Sequence, residues 1–284
     1  MEQHVFGRIV TLRASVMVVV GLLLALMAVA PQVGAQTAPP DQRAVSAEEE
    51  ANGFPVSYTD AKGKNAFQCL GDQELCAIED PANIQEVVYW SAEANMPVGR
   101  PDAQGRRGQA SLLMSVEGAF DPDAGNAPTT AGLILIQADG LRPNTAYTVI
   151  FPYGKFRVTT DDRGQFPRNA QTLREAGCDL EPGETCDFSL ALRSQVFNNF
   201  LRWDPAVAPA APAGYHGNPD VLHTVVGSLI RDSRGNFQNY FRIEGPNAGN
   251  TRPAAQANRF SVIGQRTRDT QTDPAPPELA GLAR

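Results

Sequence analysis

Four runs of strand-forming residues follow one another between positions 111 and 160, and this succession most limits the folds open to the chain. Ser111–Phe120 (SLLMSVEGAF) places Leu112, Met114, Val116 and Phe120 on one face and Ser115 and Glu117 on the other, the period of a strand with one wet side. Asp121–Asn126 (DPDAGN) then makes a turn. Ala131–Ala138 (AGLILIQA) is apolar on both faces, which predicts a central, covered strand ended by Asp139-Gly140. Thr145–Pro152 (TAYTVIFP) and Gly154–Thr160 (GKFRVTT) are split by Pro152-Tyr153-Gly154, and Glu86–Ala92 (EVVYWSA) is an earlier β-rich run. Aromatic and β-branched runs with Gly or Pro turns between them predict a β-sandwich. No alternation of helix and strand points to an α/β fold.

The pattern changes after residue 166. Gln171–Gly177 (QTLREAG) is compatible with a short helix, and Phe188–Trp203 (FSLALRSQVFNNFLRW) is the best helix candidate, although its first five residues also suit a strand. Asp204–Gly217 is a Pro/Ala-rich loop that must be extended, because each Pro lacks an amide donor. Strand signals return at Leu222–Leu229, Asn239–Glu244 and Arg259–Ile263, with Asp232–Asn236 (DSRGN) as a plain hairpin turn. These strands either form a second module or complete the first.

The N-terminus has the order of a secretory signal. Arg8 and Arg13 supply positive charge, Val16–Ala30 is uncharged and almost wholly apolar, and Val33-Gly34-Ala35 offers small residues for cleavage before Gln36. As a helix the apolar run spans only about 22 Å, short of a hydrocarbon core of about 30 Å, so cleavage is expected over anchoring. The expected organisation is a signal peptide over 1–35, a flexible leader over 36–52, a β-sandwich domain over 53–165, a helix-containing β-rich module over 166–265 and a disordered tail over 266–284. The chain carries 24 Lys and Arg against 31 Asp and Glu, a net charge of −7, which becomes −8 once Glu2, Arg8 and Arg13 leave. An acidic body without a basic run is poorly suited to nucleic acid, and no membrane span is expected after cleavage.

Cys69 and Cys76, and Cys178 and Cys186, form two local pairs around turn-forming loops. An even count in an exported chain points to disulfides. The local pairing is the economical one of three, each bond contributing about 2–3 kcal/mol by loop entropy. Neither spacing suits a zinc centre or a redox Cys-x-x-Cys.

Leu141-Arg-Pro143-Asn-Thr145-Ala-Tyr147-Thr-Val149 resembles the L-x-P-x-T-x-Y-x-V stretch of fibronectin type III and related immunoglobulin-like domains. The resemblance implies that Tyr147 closes a corner by bonding back to the backbone, with Leu141 and Val149 in the core. Gly53-Phe-Pro, Cys69, Phe200-Leu-Arg-Trp-Asp-Pro205, Gly214-Tyr-His-Gly-Asn-Pro219 and Phe241-Arg-Ile-Glu-Gly-Pro246 together resemble a group of uncharacterised secreted bacterial proteins in which such segments occur in the same order. That likeness implies export and β architecture only. The expected fold is mainly β: an immunoglobulin-like β-sandwich with a second β-rich module and one or two short helices.

Chemistry-bearing residues are sparse. His216, Asp220 and His223 would suit a divalent metal such as zinc or copper if their loop folded round it, but loop histidines are more often solvated or capping groups. Asp121–Asn126 lacks the Glu of a calcium-binding EF-hand and reads as an Asx turn. G-x-S-x-G, H-E-x-x-H and S-x-x-K are absent from the sequence. Paired carboxylates meet in space, so the sequence does not identify them. Trp90, Trp203 and Tyr215 are candidate ligand-binding aromatics, although each Trp lies in an apolar run that favours a core role. The expected function is an exported, non-enzymatic interaction or structural module without a cofactor, its partner an extracellular protein or glycan. The alternative is a carbohydrate-binding or carbohydrate-active protein with an open aromatic face beside two acids.

Overall fold

The computed structural model describes residues 40–48, 52–69, 73–76 and 86–267. The expected signal peptide and nearly all of the expected tail lie outside the described residues. Fourteen strands and one α-helical turn are present among them. In chain order they are β1 (Ala44–Val45), β2 (Ser57–Thr59), β3 (Asn65–Phe67), α1 (Gln73–Cys76), β4 (Glu86–Val98), β5 (Gly108–Asp121), β6 (Ala127–Ala138), β7 (Ala146–Phe151), β8 (Gly154–Thr159) and β9 (Leu173–Gly177). After them come β10 (Arg202–Trp203), β11 (Val225–Val226), β12 (Phe241–Gly249), β13 (Arg252–Ala257) and β14 (Ser261–Gly264). The protein is mainly β, with several antiparallel sheets and few helices.

Two sheets dominate, one in the order β14-β4-β5-β6-β9 and the other β13-β12-β7-β8. Strands after residue 166 therefore pair into both sheets begun by earlier residues: β14 on β4, β9 on β6, and β12 on β7. Val149 and Phe151 of β7, Phe241 and Ile243 of β12, and Leu112, Met114 and Ile134 of β5 and β6 belong to one buried cluster. Burial of this continuous apolar surface is the main stabilising term.

β4 shows how the sequence reaches that core. Its buried positions are Val87 and Tyr89, then Trp90, Ala92, Ala94, Met96 and Val98. The apolar period slips by one residue where the register shifts between Val88 and Trp90. A bulge adds one residue to one strand, so residues on both sides of the slip stay inward. Tyr89 and Trp90 are both fully buried as a result.

The Tyr147 hydroxyl accepts from the Arg142 amide at 3.1 Å and donates to the Pro246 carbonyl at 3.0 Å, with Leu141 and Val149 buried. The corner implied by the L-x-P-x-T-x-Y-x-V stretch is thus formed.

Several local expectations are corrected. Gln171–Gly177 is not helical; its residues 173–177 form β9 and complete the edge of β6, Leu173 opposite Leu135. Phe188–Trp203 is not one helix but two 3₁₀ turns, Phe188–Arg193 and Gln195–Asn198, followed by extended chain. Its backbone groups are claimed from outside: the Phe200 amide donates to Asp60 Oδ2 at 2.7 Å, and the Asn199 carbonyl accepts from the Tyr153 hydroxyl at 2.9 Å. Of Leu222–Leu229 only Val225–Val226 is strand. The expected flexible leader contains β1, paired with β2 and anchored where the Arg43 guanidinium donates to the Leu192 and Phe197 carbonyls. Both disulfides join the local pairs, Cys69–Cys76 and Cys178–Cys186.

Candidate functional site

The strand period of β12 sends Phe241 and Ile243 inward and leaves Arg242 and Glu244 on the opposite face. Strand register then lines up one row across the four-stranded sheet: Gln256 opposite Arg242, Arg242 opposite Ile150, and Ile150 opposite Lys155. Arg242 is fixed within this floor, its Nε donating to Glu244 Oε1 at 2.7 Å and its Nη1 to Gln256 Oε1 at 2.9 Å.

The hairpin turn at 232–236 rises beside the row. Asp232 Oδ1 accepts main-chain amides of Arg234 and Asn236, each at 2.9 Å, and the Asp232 amide donates to the Asn236 carbonyl at 2.8 Å. Arg231 and Phe237 bridge the base of the hairpin. The Arg231 guanidinium lies 3.8 Å from the Phe237 ring centroid, a cation–π contact, yet Phe237 remains 43% exposed. Floor and wall enclose a groove of about 560 Å³, also lined by Gln238 and Tyr240. That size lies within the range of small-molecule sites.

Charge in the groove is unevenly committed. Desolvation pushes the Asp232 carboxyl up, but the amides of Asn236 and Arg234 outweigh it and hold the group below the usual carboxylate range. Glu244 is paired with Arg242. The side chains of Lys155 and Arg234 make no ion pair or hydrogen bond among the described residues. Partial burial and the nearby Asp232 raise the Tyr240 phenol.

The candidate residues of the sequence lie elsewhere. Trp90 is 0% exposed, donates its indole N–H to the Leu201 carbonyl at 2.9 Å and stacks on Phe200. Trp203 is 4% exposed, and a Cβ at Gly217 would come within 2.7 Å of its Nε1, so chain closes over the ring. Tyr215 is 5% exposed and packs with Cys69 and Cys76. Their roles are in the core, and they present no open stacking face. His216 and His223 are also buried while Asp220 is exposed, so the trio does not converge. The His216 Nε2–H donates to the Asn65 carbonyl at 2.8 Å, leaving Nδ1 as a lone pair without a partner. Desolvation lowers its pKa to about 3 and keeps the ring neutral. Among the described residues no group of three His, Cys, Asp or Glu is arranged to hold a metal.

The groove residues escaped the sequence reading because the turn and β12 looked like ordinary scaffold. The polar alternation of Arg242 and Glu244, with an aromatic directly after Gly235-Asn236, was the available signal. Comparison with family models, with curated proteins and with solved structures finds no match.

Proposed function

We propose that the protein is exported and acts outside the cytoplasm as a non-enzymatic binding module on an immunoglobulin-like β-sandwich, its partner an extracellular protein or glycan held in the groove of the four-stranded sheet. The observation that carries this reading is the cross-sheet row Gln256–Arg242–Ile150–Lys155 facing the exposed Phe237. A preformed groove with one open aromatic ring and fixed polar groups is the form a recognition site takes. Export is supported by the tripartite N-terminus and by two disulfides, which persist in oxidising compartments. No helix among the described residues is long and apolar enough to cross a membrane. The sandwich assignment is supported by two antiparallel sheets around one core and by the Tyr147 corner.

A hydrolytic reading finds a starting point in Asp232 and Glu244, two acids beside an aromatic ring. Glycoside hydrolysis needs one carboxyl with a raised pKa as proton donor. Asp232 is held low by main-chain amides and Glu244 is engaged by Arg242, which favours binding over hydrolysis.

The test is an array of saccharides and peptides probed with the chain from Gln36 onward, beside its Phe237→Ala/Arg242→Ala variant. Binding to some feature that the variant loses, with unfolding curves alike, is expected; identical profiles would reject the groove as the recognition site. N-terminal sequencing of exported protein should begin at Gln36.

A further inference from the structure

The geometry points to an acidic saccharide, a sugar bearing a carboxylate such as a uronic acid, as the ligand of the groove; this rests on the binding function proposed above. Two features of the lining converge on that chemistry.

The first is uncommitted positive charge. Of the charged side chains lining the groove, Asp232 and Glu244 are satisfied by main-chain amides and by Arg242. Lys155 and Arg234 remain without ion pairs or hydrogen bonds through their side chains. The groove therefore offers Lys155 as a free cation, and Arg234 as a second cation whose charge helps to hold Asp232 low without an ion pair, on a chain whose net charge is −7. A carboxylate gains charge-assisted hydrogen bonds from such groups, and a neutral ligand leaves them idle.

The second is the ring. Arg231 covers one face of Phe237, and the ring is still 43% exposed. A sugar presents an apolar C–H face to such a surface, while Asn236, Gln256, Ser233 and Tyr240 supply further groups for its hydroxyls. A carboxylate, several hydroxyl donors and an apolar face occur together in an acidic sugar. A polyglutamate peptide offers the charge without the hydroxyls.

The experiment is calorimetric titration of the chain from Gln36 onward with three probes: tetragalacturonate, the neutral galactose tetramer and hexaglutamate. The inference expects tetragalacturonate to bind at least about tenfold more tightly than either control, weakening as salt rises. Lys155→Met and Arg234→Met should each weaken tetragalacturonate about tenfold and leave the neutral tetramer unchanged. Phe237→Ala should weaken both sugars. Unfolding curves show whether each variant is folded. Tetragalacturonate binding indifferent to Lys155 and Arg234 would overturn the inference. So would hexaglutamate or the neutral tetramer binding as well as the uronate in a Phe237-dependent way, an outcome that leaves the groove as a recognition site. If no probe shows Phe237-dependent binding and the saccharide and peptide array also finds none, the inference and the binding function fail together.

Discussion

The indole of Trp203 stacks on the imidazole of His223 with ring centroids 4.4 Å apart and 17° between their planes. Both residues are fixed by main-chain bonds: the Trp203 amide donates to the His216 carbonyl at 2.9 Å, and His223 exchanges two backbone bonds with Phe260. The stack therefore ties β10 to the loop before β11, which the backbone pair with Phe260 holds at the start of β14. Trp203→Ala removes a large buried side chain and should cost about 3–5 kcal/mol in urea unfolding. A double-mutant cycle with His223→Ala should return a coupling of about 0.5–1.5 kcal/mol. Additive single effects would show that the two rings are merely neighbours.

Tyr147→Phe tests the corner. The ring stays in the core, but the Arg142 amide and Pro246 carbonyl lose the hydroxyl that joins them. Leaving partly buried backbone groups unmet costs about 1–3 kcal/mol. For a domain of this size that lowers Tm by about 2–4 °C per kcal/mol. A Tm within a degree of the wild type would mean that water replaces the hydroxyl at no cost.

Much of the β framework was legible because strand periodicity is local. β7 and β8 match their apolar alternation almost residue for residue, β5 matches it at Leu112, Met114 and Val116 although Ser115, expected on a wet face, is buried, and Tyr147 carried its corner within nine residues of sequence. What escaped was decided by distant partners. Residues 188–203 have helix-compatible spacing at Val196, Phe197, Phe200 and Leu201, but Asp60 and Tyr153 bond to the backbone that a helix would use. The bulge at Tyr89 reverses the face of every later residue on β4 and leaves no local mark. The groove was hidden for a related reason: Lys155, Ile150, Arg242 and Gln256 lie on four strands and meet only through register.

The two disulfides should differ in response to reductant. Cys69 and Cys76 are 0% and 1% exposed, whereas Cys178 and Cys186 are only partly buried. Reduction needs a thiolate to reach a sulfur, so mild dithiothreitol on the folded protein should open Cys178–Cys186 first. Alkylation and peptide mapping at early times should label Cys178 and Cys186 alone. Each bond closes a short loop, so replacing either pair by Ala should cost about 2–3 kcal/mol. Equal labelling of all four cysteines would show that the α1 region opens as readily as the 178–186 loop.

His216 should make the fold acid-sensitive well above the carboxylate range. Desolvation dominates the lowering of its pKa from 6.5 to about 3, while the Asn65 carbonyl works against it. The unfolded chain therefore binds a proton below pH 6.5 that the folded chain refuses until about pH 3. Stability from this residue is fully present above 6.5 and declines as pH falls through that window, by up to about 1.4 kcal/mol per pH unit. Glu117 acts in the opposite sense, since desolvation raises its carboxyl and favours the folded state as it becomes protonated. Substitution isolates the histidine. His216→Gln keeps a donor for Asn65 without a titrating ring, so it should flatten the urea midpoint between pH 6.5 and 4.5 even if it lowers stability at pH 7. An equally steep acid decline in the variant would assign the effect to other groups.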